Sequence, residues 1–404
     1  MDAKIVGATI AALRKRAGKT QAELAAALSV SDKTISKWEG GHGYPEITQF
    51  PALANLFGVT VDYLMSGERK GIAIAGNILL DQIKAIDEYP KEGMLCNISS
   101  ISRSVGGCVP NTAINLAKID RSIPITAYGR IGDDEQGRYV AGQMSAYGIN
   151  VDKLCVDSDA PTSFTDVMSV RGAERTFFHA RGTNALFGPE DVDLSTLNCS
   201  MFHIGYILLL DRFDAEDAEY GTVMARFLHD LQERGIKTSY DVVSDSAGNY
   251  KAKIVPAMKY TDYAISNEIE CCTAWDLDPR NADGSLNIEN IRKAMELAAE
   301  AGVREKVIVH CKEAGFLLNA VTGEFTIVPS LKIPKSEMVG SVGAGDAYCS
   351  GCLYAIYNKL EDAEILKFAS AAAACNLFAA NAVDGMRTKN EIAKMEEKYG
   401  RLEL

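Results

Sequence analysis

Val342-Gly343-Ala344-Gly345-Asp346-Ala347-Tyr348 is a glycine-rich turn that brings one carboxylate to the start of a predicted helix, 345–358. Glycine residues let backbone N–H groups converge without obstruction by a Cβ atom, and a helix N-terminus carries partial positive charge. Such a turn can hold a phosphoryl group while Asp346 takes a proton. The stretch therefore indicates phosphoryl transfer to a hydroxyl group, although a glycine turn before a helix is also an ordinary loop in many proteins.

Outward from this turn, apolar segments alternate with amphipathic ones from residue 72 onward. Strands are predicted at 72–75, 123–128, 201–204, 238–241, 263–266 and 307–310. Helices are predicted at 111–118, 135–147, 216–234, 288–301, 345–358 and 363–382. This alternation predicts an α/β fold with a mostly parallel sheet and helices on both faces. Segments 163–170 and 175–179, around the turn Arg171-Gly172-Ala173, predict a hairpin that need not join the main sheet.

Polar residues follow the early strands, where an open α/β sheet binds its ligands. Asp81 lies in the segment 76–81 after the first strand and could accept hydrogen bonds from sugar hydroxyls; a solvated cap is the alternative. Gly106-Gly107, followed by Asn111, predicts a close-approach loop that opens a helix. That loop suits a polar small molecule, or it is a simple turn.

Taken together and in this order, the motifs of residues 71–404 resemble the ribokinase-like (PfkB) carbohydrate kinase family. The residues that carry the resemblance are Gly76 and Asp81, Gly106-Gly107-x-x-x-Asn111-x-Ala113-x-x-Leu116-Ala117, Gly129-Arg130-Ile131-Gly132-Asp133-Asp134-x-x-Gly137, Asn267-Glu268-Ile269-Glu270 and Gly343-Ala344-Gly345-Asp346. The resemblance implies an ATP-dependent kinase that uses Mg²⁺.

The resemblance also implies roles for the residues of the last motif. Asp346 would be the general base that takes the proton of the acceptor hydroxyl. The backbone N–H groups of Gly343, Ala344 and Gly345 would form an anion hole for the transferred phosphoryl group. Asn267 and Glu270 match the Asn-x-x-Glu motif associated with Mg²⁺ and phosphate; the alternative is a helix-capping Asn followed by surface acids.

On the substrate side, the resemblance assigns sugar binding to Asp81, Gly106, Gly107 and Asn111. The predicted hairpin would correspond to the family's β-lid, around 160–182, which covers the sugar and often pairs with another subunit, so we expect a homodimer. Arg181 and Asn184 follow the lid and could reach the substrate, or they belong to a solvated loop.

Two departures from the family pattern concern its cation and nucleotide sites. Gly340 and Ser341 replace the usual Asp and Thr before the glycine turn, which puts the monovalent-cation loop in doubt. His310-Cys311-Lys312 replaces Thr-x-Gly at the end of the nucleotide-side strand. Lys312 could supply positive charge to the ATP phosphates or could be solvated, and Gly315 is also assigned to the nucleotide site.

Residues 1–66 predict a separate all-helical domain. A basic helix with Ile5, Ile10 and Leu13 on one face is followed by helices 21–28, capped by Thr20, and 32–39, capped by Ser31. Further helices are predicted at 48–57 and 61–65, and the polar segment 67–71 is a short linker to the kinase-like domain, 72–404. Two short helices joined by 29–31 predict a helix-turn-helix.

This segment resembles the Cro/XRE helix-turn-helix family over its whole length. The resemblance rests on Thr20-Gln21-x-Glu23-Leu24-Ala25, Ser31-x-x-Thr34-Ile35-Ser36-Lys37-Trp38-Glu39-x-Gly41, Pro45 and Leu53-Ala54-x-x-Phe57-Gly58-Val59. It implies double-stranded DNA as a partner, with Gln21 near the DNA backbone and the third helix in the major groove. The residues expected at base edges or phosphates are Asp32, Lys33, Thr34, Ser36 and Lys37. A protein-interaction module is the alternative.

Composition limits where nucleic acid can bind. The 404 residues, 47% of them hydrophobic, allow two or three domains with buried cores. The formal net charge of −12 argues against polyanion binding by the whole chain. Residues 1–66, with seven Lys/Arg and six Asp/Glu, have a net charge of +1, so we expect any DNA contact there.

We predict a cytoplasmic protein without a membrane partner from the N-terminus, the lengths of the apolar runs and the spacing of the cysteines. The N-terminus has no leader pattern, and no apolar run approaches bilayer length. The ten cysteines follow no disulfide framework and are expected to be reduced. Cys349 and Cys352 are expected to pack in a helix, and a redox or metal role is the alternative. The five histidines form no sequential His or Cys/His cluster, so no structural metal site is predicted.

Two functional hypotheses follow from these motifs. The first is a monosaccharide kinase coupled to a DNA-binding, transcription-regulating domain. The second is a transcriptional regulator whose kinase-like domain senses a sugar or nucleotide with little turnover; Gly340 and Lys312 motivate it. The motifs leave the sugar open among fructose, ribose, a deoxy-keto acid and a nucleoside.

Overall fold

The computed structural model describes residues 2–170, 176–244 and 249–404. The predicted turn Arg171-Gly172-Ala173 and residue 175, the first of the second hairpin strand, lie outside these ranges. The chain forms two compact units, one of residues 1–71 with 192–200 and one of residues 72–191 with 201–404. Within the described ranges, the helices are too short or too polar to span a lipid bilayer.

The N-terminal unit is helical, as predicted. Its helices are α1 (Ala3–Arg16), α2 (Gln21–Leu28), α3 (Asp32–Glu39), α4 (Gln49–Phe57) and α5 (Val61–Ser66). Thr20 accepts from the Glu23 N–H in a capping box, and Ser31 accepts from the Thr34 N–H. These caps satisfy amide groups that a helix start leaves unpaired, which explains why the short α2 and α3 begin where they do.

The core of this unit differs from the prediction at one position. Ile5 is 43% exposed, whereas Val6, Ile10 and Leu13 are buried. Spacings of four and three residues return to the same side of a helix with 3.6 residues per turn, whereas the five-residue step from Ile5 to Ile10 does not. Leu24, Ala25, Ile35 and Trp38 are buried as well.

The second unit is built on a nine-stranded sheet, so the predicted α/β fold is confirmed. Its strands are β1 (Ile72–Ala75), β4 (Ile125–Gly132), β5 (Leu154–Asp157), β8 (Met201–Ile207), β11 (Lys237–Val242), β12 (Tyr263–Asn267), β13 (Lys306–His310), β14 (Ala314–Asn319) and β15 (Phe325–Pro329). Their order is β15-β14-β13-β12-β11-β8-β1-β4-β5, parallel from β13 to β5 and antiparallel at β14 and β15. All six predicted strands belong to this sheet.

A separate four-stranded sheet contains the predicted hairpin. Its strands are β2 (Leu79–Ile86), β3 (Ile98–Gly106), β6 (Phe164–Val170) and β7 (Thr176–Ala180), in the order β3-β2-β6-β7. We call it the lid sheet. The prediction found β6 and β7 but missed β2 and β3, so Asp81 lies within a strand and not in the loop we expected.

The helices of this unit are α6 (Cys108–Ile119), α7 (Glu135–Ala146), α8 (Val223–Glu233), α9 (Tyr250–Met258), α10 (Glu268–Thr273), α11 (Ile288–Glu300), α12 (Ala344–Tyr357), α13 (Asp362–Asn376), α14 (Lys389–Ile392) and α15 (Met395–Tyr399), with two short strands, β9 (Glu216–Asp217) and β10 (Gly221–Thr222). The prediction of a helix from 216 was wrong. The Asp217 carboxylate accepts from the Glu219 and Tyr220 amides, and Gly221 has φ +86°, so the chain turns before Thr222 caps α8.

The end of α13 also differs from the prediction. The helix stops at Asn376, six residues early, and the Asn376 side chain donates to the carbonyl of Val342. The carbonyl of Leu377 accepts from the Val339 amide. The residues after α13 therefore pack behind the glycine turn that precedes α12, and this contact replaces further helical turns.

Candidate active site

The glycine turn 342–346 positions Asp346 in the first turn of α12. Gly343 caps this helix with φ +75°, a conformation that L side chains rarely adopt. A Cβ atom on Gly343 would lie 2.3 Å from the Cβ of Ala382, so the turn also needs glycine for its packing. Gly345 follows at the start of the helix, where first-turn amides have no intrahelical acceptor. The amide of Ala344 donates to the Ser341 carbonyl at 3.2 Å.

Asp346 is buried and has two hydrogen-bond donors. Asn111 Nδ2 donates to Oδ2 at 2.8 Å, and the Tyr206 hydroxyl donates to Oδ1 at 3.0 Å. Burial, and then the negative charge of Asp241, raise the pKa of Asp346 to about 7, against the lowering effect of the two donors. A carboxylate with a pKa near neutrality is suited to general base catalysis.

Tyr206 was not predicted as a site residue. It lies at the end of β8 in a left-handed conformation, φ +63°, and its amide donates to Asp241 Oδ1 at 2.6 Å. Strained non-glycine residues of this kind cluster at functional sites. Its position after the predicted strand 201–204 was the signal available in the sequence, since ligands bind beyond the carboxyl ends of such strands.

A cavity of about 290 Å³, which we call the transfer cavity, lies in front of Asp346. Residues from the glycine turn, from the ends of β8, β11, β12 and β13, and from α10 line it. They are Tyr206, Asp241, Val242, Val243, Ser244, Ile265, Ser266, Asn267, Glu270, His310, Ser341, Gly343, Ala344, Gly345, Asp346 and Cys349. The structure thus brings the Asn-x-x-Glu motif and the glycine turn, distant in sequence, to one cavity.

Asn267 and Glu270 form a capping box at the start of α10. Asn267 Oδ1 accepts from the Glu270 amide at 2.8 Å, and Glu270 Oε2 accepts from the Asn267 amide at 2.9 Å. The capping alternative is therefore observed, but Glu270 is buried and not a surface acid. Burial raises the pKa of Glu270 to about 7, although its amide contact and Ser244 lower it. Glu268 is buried as well and pairs with Arg280 at 2.5 Å.

A second cavity, of about 710 Å³, adjoins the other side of the glycine turn. We call it the nucleotide cavity because its lining includes Lys312, which the sequence relates to the ATP phosphates. Much of its lining is apolar, including Leu331, Ile333, Met338 and Leu377. It shares five lining residues with the transfer cavity: Asn267, His310, Ser341, Ala344 and Gly345.

Lys312 and Gly315, both assigned to the nucleotide site, occupy different environments. The Lys312 side chain lines the nucleotide cavity, is 81% exposed, and lies 3.6 Å from Glu313. Gly315 lies in β14, where a Cβ atom would come within 2.2 Å of the Tyr348 hydroxyl. Glycine there makes room for a tyrosine that lines the cavity.

The residues assigned to the sugar surround the start of the lid sheet. The carboxylate of Asp81 accepts a hydrogen bond from the Thr165 side chain on the neighbouring strand. Burial raises the pKa of Asp81 to about 6, against the lowering effect of this hydrogen bond. A Cβ atom on Gly106 would lie 2.5 Å from Asp81 Oδ2. Gly107 has φ +87°, and a Cβ there would lie 2.5 Å from the carbonyl oxygen of Asn77. The two glycines therefore allow close packing beside Asp81 and Asn77.

Buried amide side chains near this region have free polar atoms. Asn184 Oδ1 accepts from the Ile78 amide at 3.0 Å, so Asn184 holds the backbone beside the lid sheet. Within the described ranges, Asn77 Nδ2, Asn111 Oδ1 and Asn184 Nδ2 are buried without a hydrogen-bond partner. Such atoms are costly unless a ligand or water satisfies them. Arg181 is exposed and pairs with Asp211.

In the N-terminal unit, α3 presents the residues predicted to contact DNA. Asp32, Lys33, Ser36 and Lys37 are exposed, and Thr34 is partly buried against its cap. Their exposure contrasts with the buried Ile35 and Trp38 of the same helix, so one face of α3 is free for a partner.

Gln21 has an intramolecular partner. Its Nε2 donates to Glu39 Oε2 at 2.7 Å, and Arg14 donates to both Glu39 oxygens, from Nε at 2.6 Å and from Nη2 at 2.9 Å. Arg14 and Glu39 thus form an ion pair between α1 and α3 that is largely shielded from solvent. Gln21, at the start of α2, is therefore hydrogen-bonded to the end of α3.

Comparison with known proteins bears on both units. The family model for pfkB family carbohydrate kinases matches residues 70–389, and a helix-turn-helix family model matches residues 10–64. The 5-dehydro-2-deoxygluconokinase of Shouchella clausii is 23% identical over 345 residues, which cover 82% of this chain and 98% of that protein. Fructokinase-1 of Zea mays is 24% identical over 349 residues, 83% of this chain and 100% of that protein.

Solved structures share the fold at low sequence identity. The ribokinase of Arabidopsis thaliana, complexed with ribose and ATP, superposes with a TM-score of 0.66 at 19% identity, covering 81% of this chain and 99% of that one. The ribokinase of Cryptococcus neoformans, in complex with ADP, gives a TM-score of 0.64 at 16% identity over 80% of this chain and 99% of that one.

Proposed function

Because this chain belongs to the pfkB family of carbohydrate kinases, we propose that it transfers the γ-phosphoryl group of ATP to a hydroxyl group of a monosaccharide, with Asp346 as the general base. The observation that carries the proposal is the position of Asp346. Its buried carboxyl group lies in the first turn of α12, in the wall of the transfer cavity and beside a larger cavity suited to a nucleotide.

In this mechanism, Asp346 takes the proton of the acceptor hydroxyl as the new O–P bond forms and the bond from the γ-phosphorus to the bridging oxygen breaks, which releases ADP. Its raised pKa makes it a stronger base than an ordinary aspartate once it is ionised. Asn111 orients the carboxylate through Oδ2, and the Tyr206 hydroxyl lies 3.0 Å from Oδ1 and 3.1 Å from Oδ2, so Oδ1 has fewer partners and is the oxygen left for the incoming substrate. Asn111 also has a buried free oxygen that a sugar hydroxyl could satisfy.

The start of α12 would stabilise the charge on the transferred group. The amides of Gly343 and Gly345 and the helix N-terminus favour negative charge in front of the turn. The Ala344 amide would join them by exchanging its bond to Ser341 for one to the phosphoryl oxygen. Because this mechanism needs positioning and electrostatic stabilisation, it does not require a phosphate-binding lysine of the Walker type.

The residues present fit ATP and Mg²⁺. The apolar lining of the nucleotide cavity suits a purine base, and Lys312 at its rim suits phosphate. Glu270 brings carboxylate oxygens to the transfer cavity, the ligand type that Mg²⁺ prefers. Bound ATP would supply the phosphoryl group, and Mg²⁺ would neutralise charge on its phosphates. Asn267 fixes Glu270 in place through the capping box.

On the substrate side, we propose that Asp81, Asn111, Asn184, Gly106 and Gly107 bind the sugar. Asp81 contributes a carboxylate, and the two asparagines contribute unsatisfied amide atoms. The lid sheet would cover the sugar and exclude water. Its exposed apolar residues, among them Ile101, Phe177 and Phe178, support pairing with a second copy as a homodimer.

We also propose that the helix-turn-helix unit binds double-stranded DNA through α3. The exposed Lys33 and Lys37 would neutralise phosphates, while Asp32, Thr34 and Ser36 face base edges or phosphates. Gln21 would contact the DNA backbone from the start of α2. A kinase carrying such a domain could regulate transcription in response to its sugar.

A regulator with a weakly active kinase-like domain is the second candidate. It is favoured by Lys312, which is exposed where the family has a Thr-x-Gly motif, and by Gly340, whose amide donates to the Leu377 carbonyl where a cation loop is usual. Such a protein would bind a sugar or nucleotide tightly and produce little ADP.

The experiment that separates the two is ADP release from ATP and Mg²⁺ across a panel of fructose, ribose, 5-dehydro-2-deoxygluconate and nucleosides. Asp346→Asn should abolish turnover on the accepted substrate, and Asp152→Asn, an exposed carboxylate of the same unit, is the matched control. Full activity of Asp346→Asn would refute the mechanism. Silence of the wild type across the panel, with thermal stabilisation by one sugar, would favour the sensor.

A further inference from the structure

Three side chains with metal-binding atoms meet beside the transfer cavity, which two of them, Asp241 and Cys349, line. They are His203 from β8, Asp241 from β11 and Cys349 from α12, and one ligand atom of each lies within 4.8 Å of the other two. All three residues are buried. The mechanism proposed above gives no role to His203 or Cys349.

Two distances within this cluster match those between ligands of one tetrahedral metal ion, and the third, between Asp241 and Cys349, is within 4.8 Å. His203 Nε2 lies 3.5 Å from Cys349 Sγ and 3.6 Å from Asp241 Oδ2. Zinc binds sulfur at about 2.3 Å and nitrogen or oxygen at about 2.0–2.2 Å, so tetrahedral geometry separates adjacent ligand atoms by roughly 3.4–3.6 Å. The cluster is therefore already near the size that such an ion requires.

Neighbouring groups orient two of the three side chains. His203 Nδ1 lies 3.0 Å from the Ser239 hydroxyl, and if Nδ1–H donates there, the lone pair of Nε2 faces Cys349 and Asp241. Asp241 Oδ1 accepts from the Tyr206 amide, which leaves Oδ2 toward His203. Contacts of this kind fix the ligands of known metal sites.

We propose that His203 Nε2, Asp241 Oδ2 and Cys349 Sγ form a buried binding site for one thiophilic divalent cation of the zinc class. A mixed sulfur, nitrogen and oxygen set favours Zn²⁺ over Mg²⁺, which prefers oxygen ligands. Asp241 and Cys349 both line the transfer cavity, which supplies a route of entry and room for a fourth ligand such as water.

Bound metal would connect three elements that position the catalytic turn. Cys349 lies about one turn after Asp346 on α12, and the other two ligands lie on central strands of the sheet. The ion would hold α12 against β8 and β11 and stabilise this unit against thermal unfolding. The sequence predicts no structural metal site because the three ligands lie far apart in the chain, and the fold alone brings them together.

The test is a titration of the full chain with Co²⁺ after treatment with a chelator. Thiolate ligation gives a charge-transfer absorption, tetrahedral geometry gives visible bands, and Zn²⁺ should abolish both by competition. We expect one equivalent of Co²⁺ in the wild type, with no displacement by a thousandfold excess of Mg²⁺. Cys349→Ala should lose this signal, whereas Cys352→Ala, a buried cysteine three residues further along the same helix, should retain it.

Thermal unfolding adds a readout independent of absorption. Zn²⁺ should raise the melting temperature of the wild type and of Cys352→Ala by several degrees, but not that of Cys349→Ser, which preserves the size of the side chain. Equal Co²⁺ spectra and equal Zn²⁺ shifts in the Cys349 and Cys352 variants would overturn the proposal. So would the absence of Co²⁺ binding in the wild type, which would leave the three side chains as a hydrogen-bonded polar cluster.

Discussion

Asn111 Nδ2 donates a 2.8 Å hydrogen bond to Oδ2 of Asp346, joining residues 235 positions apart in the chain. Asn111 lies on α6, which begins directly after Gly106 and Gly107, and Asp346 lies on α12, which begins within the last family motif. Two of the motifs that carry the family resemblance are therefore in direct contact through one hydrogen bond between buried side chains.

Replacing Asn111 should change the pH dependence of catalysis. The Asn111 donor lowers the pKa of Asp346, so Asn111→Ala should raise it above its value of about 7. A hydrogen bond to a charged group contributes about 1.5–3 kcal/mol, and one pKa unit corresponds to about 1.36 kcal/mol. Because Asp346 must be ionised to accept a proton, the acidic limb of kcat/KM should move to higher pH by roughly one unit or more.

Asn115→Ala is the control for this measurement. Asn115 is a buried asparagine of the same helix, but it donates to the carbonyl of Ala382 and not to Asp346. Its pH midpoint should equal that of the wild type. An unchanged midpoint in Asn111→Ala would mean that the observed hydrogen bond does not control the base.

Tyr206→Phe removes the second donor to Asp346 and keeps the aromatic ring. The pKa of Asp346 should rise, and kcat/KM at pH 7 should fall several-fold, with recovery at higher pH. The measurement is the pH profile of kcat/KM for the accepted sugar. Tyr240→Phe removes a buried phenol elsewhere in the unit and should leave the profile in place. Identical profiles for both variants would contradict a role for Tyr206.

Gly343→Ala should both destabilise the unit that contains the nine-stranded sheet and abolish phosphoryl transfer. The new Cβ would force a residue with φ +75° against Ala382 at 2.3 Å. Left-handed strain costs about 1–3 kcal/mol, and the clash adds to it, so the loss in the free energy of unfolding should reach at least that range. Urea denaturation measures it.

Gly142→Ala provides the contrasting substitution. Gly142 lies within α7 and has no neighbouring atom within 4 Å of the position of a Cβ. Alanine in a helix interior is favoured over glycine by roughly 0.5–1 kcal/mol, so this variant should be at least as stable as the wild type. Equal destabilisation by the two substitutions would show that the turn tolerates a side chain.

Asp81→Asn should weaken sugar binding without changing nucleotide binding. The carboxylate would lose charge-assisted hydrogen bonds to sugar hydroxyls, each worth about 1.5–3 kcal/mol. The KM for the sugar should rise about tenfold or more, while the KM for ATP stays the same. Asp166→Asn is the control, because Asp166 lies on the neighbouring strand and pairs with Lys84 at 2.5 Å. A parallel rise in both KM values would remove Asp81 from the sugar site.

DNA binding by α3 should depend steeply on salt. Each phosphate contact contributes a slope of about −0.9 to the logarithm of the binding constant against the logarithm of salt concentration. Lys33→Ala and Lys37→Ala should each reduce the slope by about one, in fluorescence anisotropy with fragments from upstream of the protein's own gene. Lys15→Ala, which replaces an exposed lysine of α1, should leave the slope unchanged. An affinity that does not depend on salt concentration would favour the alternative, a protein partner.

The sequence predicted what depends on local pattern. The alternation of apolar segments predicted the parallel part of the sheet. Thr20 and Ser31 predicted the starts of α2 and α3, because capping depends on residues three positions apart. The glycine turn before Asp346 was also recognisable, since a left-handed residue and a close approach both require glycine there.

What the sequence missed depends on pairing at a distance. Strand β2 lies between β3 and β6, and the sequence predicts a loop at Asp81 because no local pattern indicates these neighbouring strands. The left-handed Tyr206 could not be predicted, because tyrosine rarely adopts that conformation and tertiary contacts must hold it. The meeting of His203, Asp241 and Cys349 likewise follows only from the fold.

Asn267, His310, Ser341, Ala344 and Gly345 form a wall common to the transfer and nucleotide cavities. A mutation in this wall alters the surroundings of both reactants, so sugar preference cannot diverge there without disturbing the use of ATP. We expect evolutionary change in the acceptor to accumulate around Asp81 and the lid strands. A library designed to create a kinase for a new sugar should be built on those strands and should leave the shared wall intact.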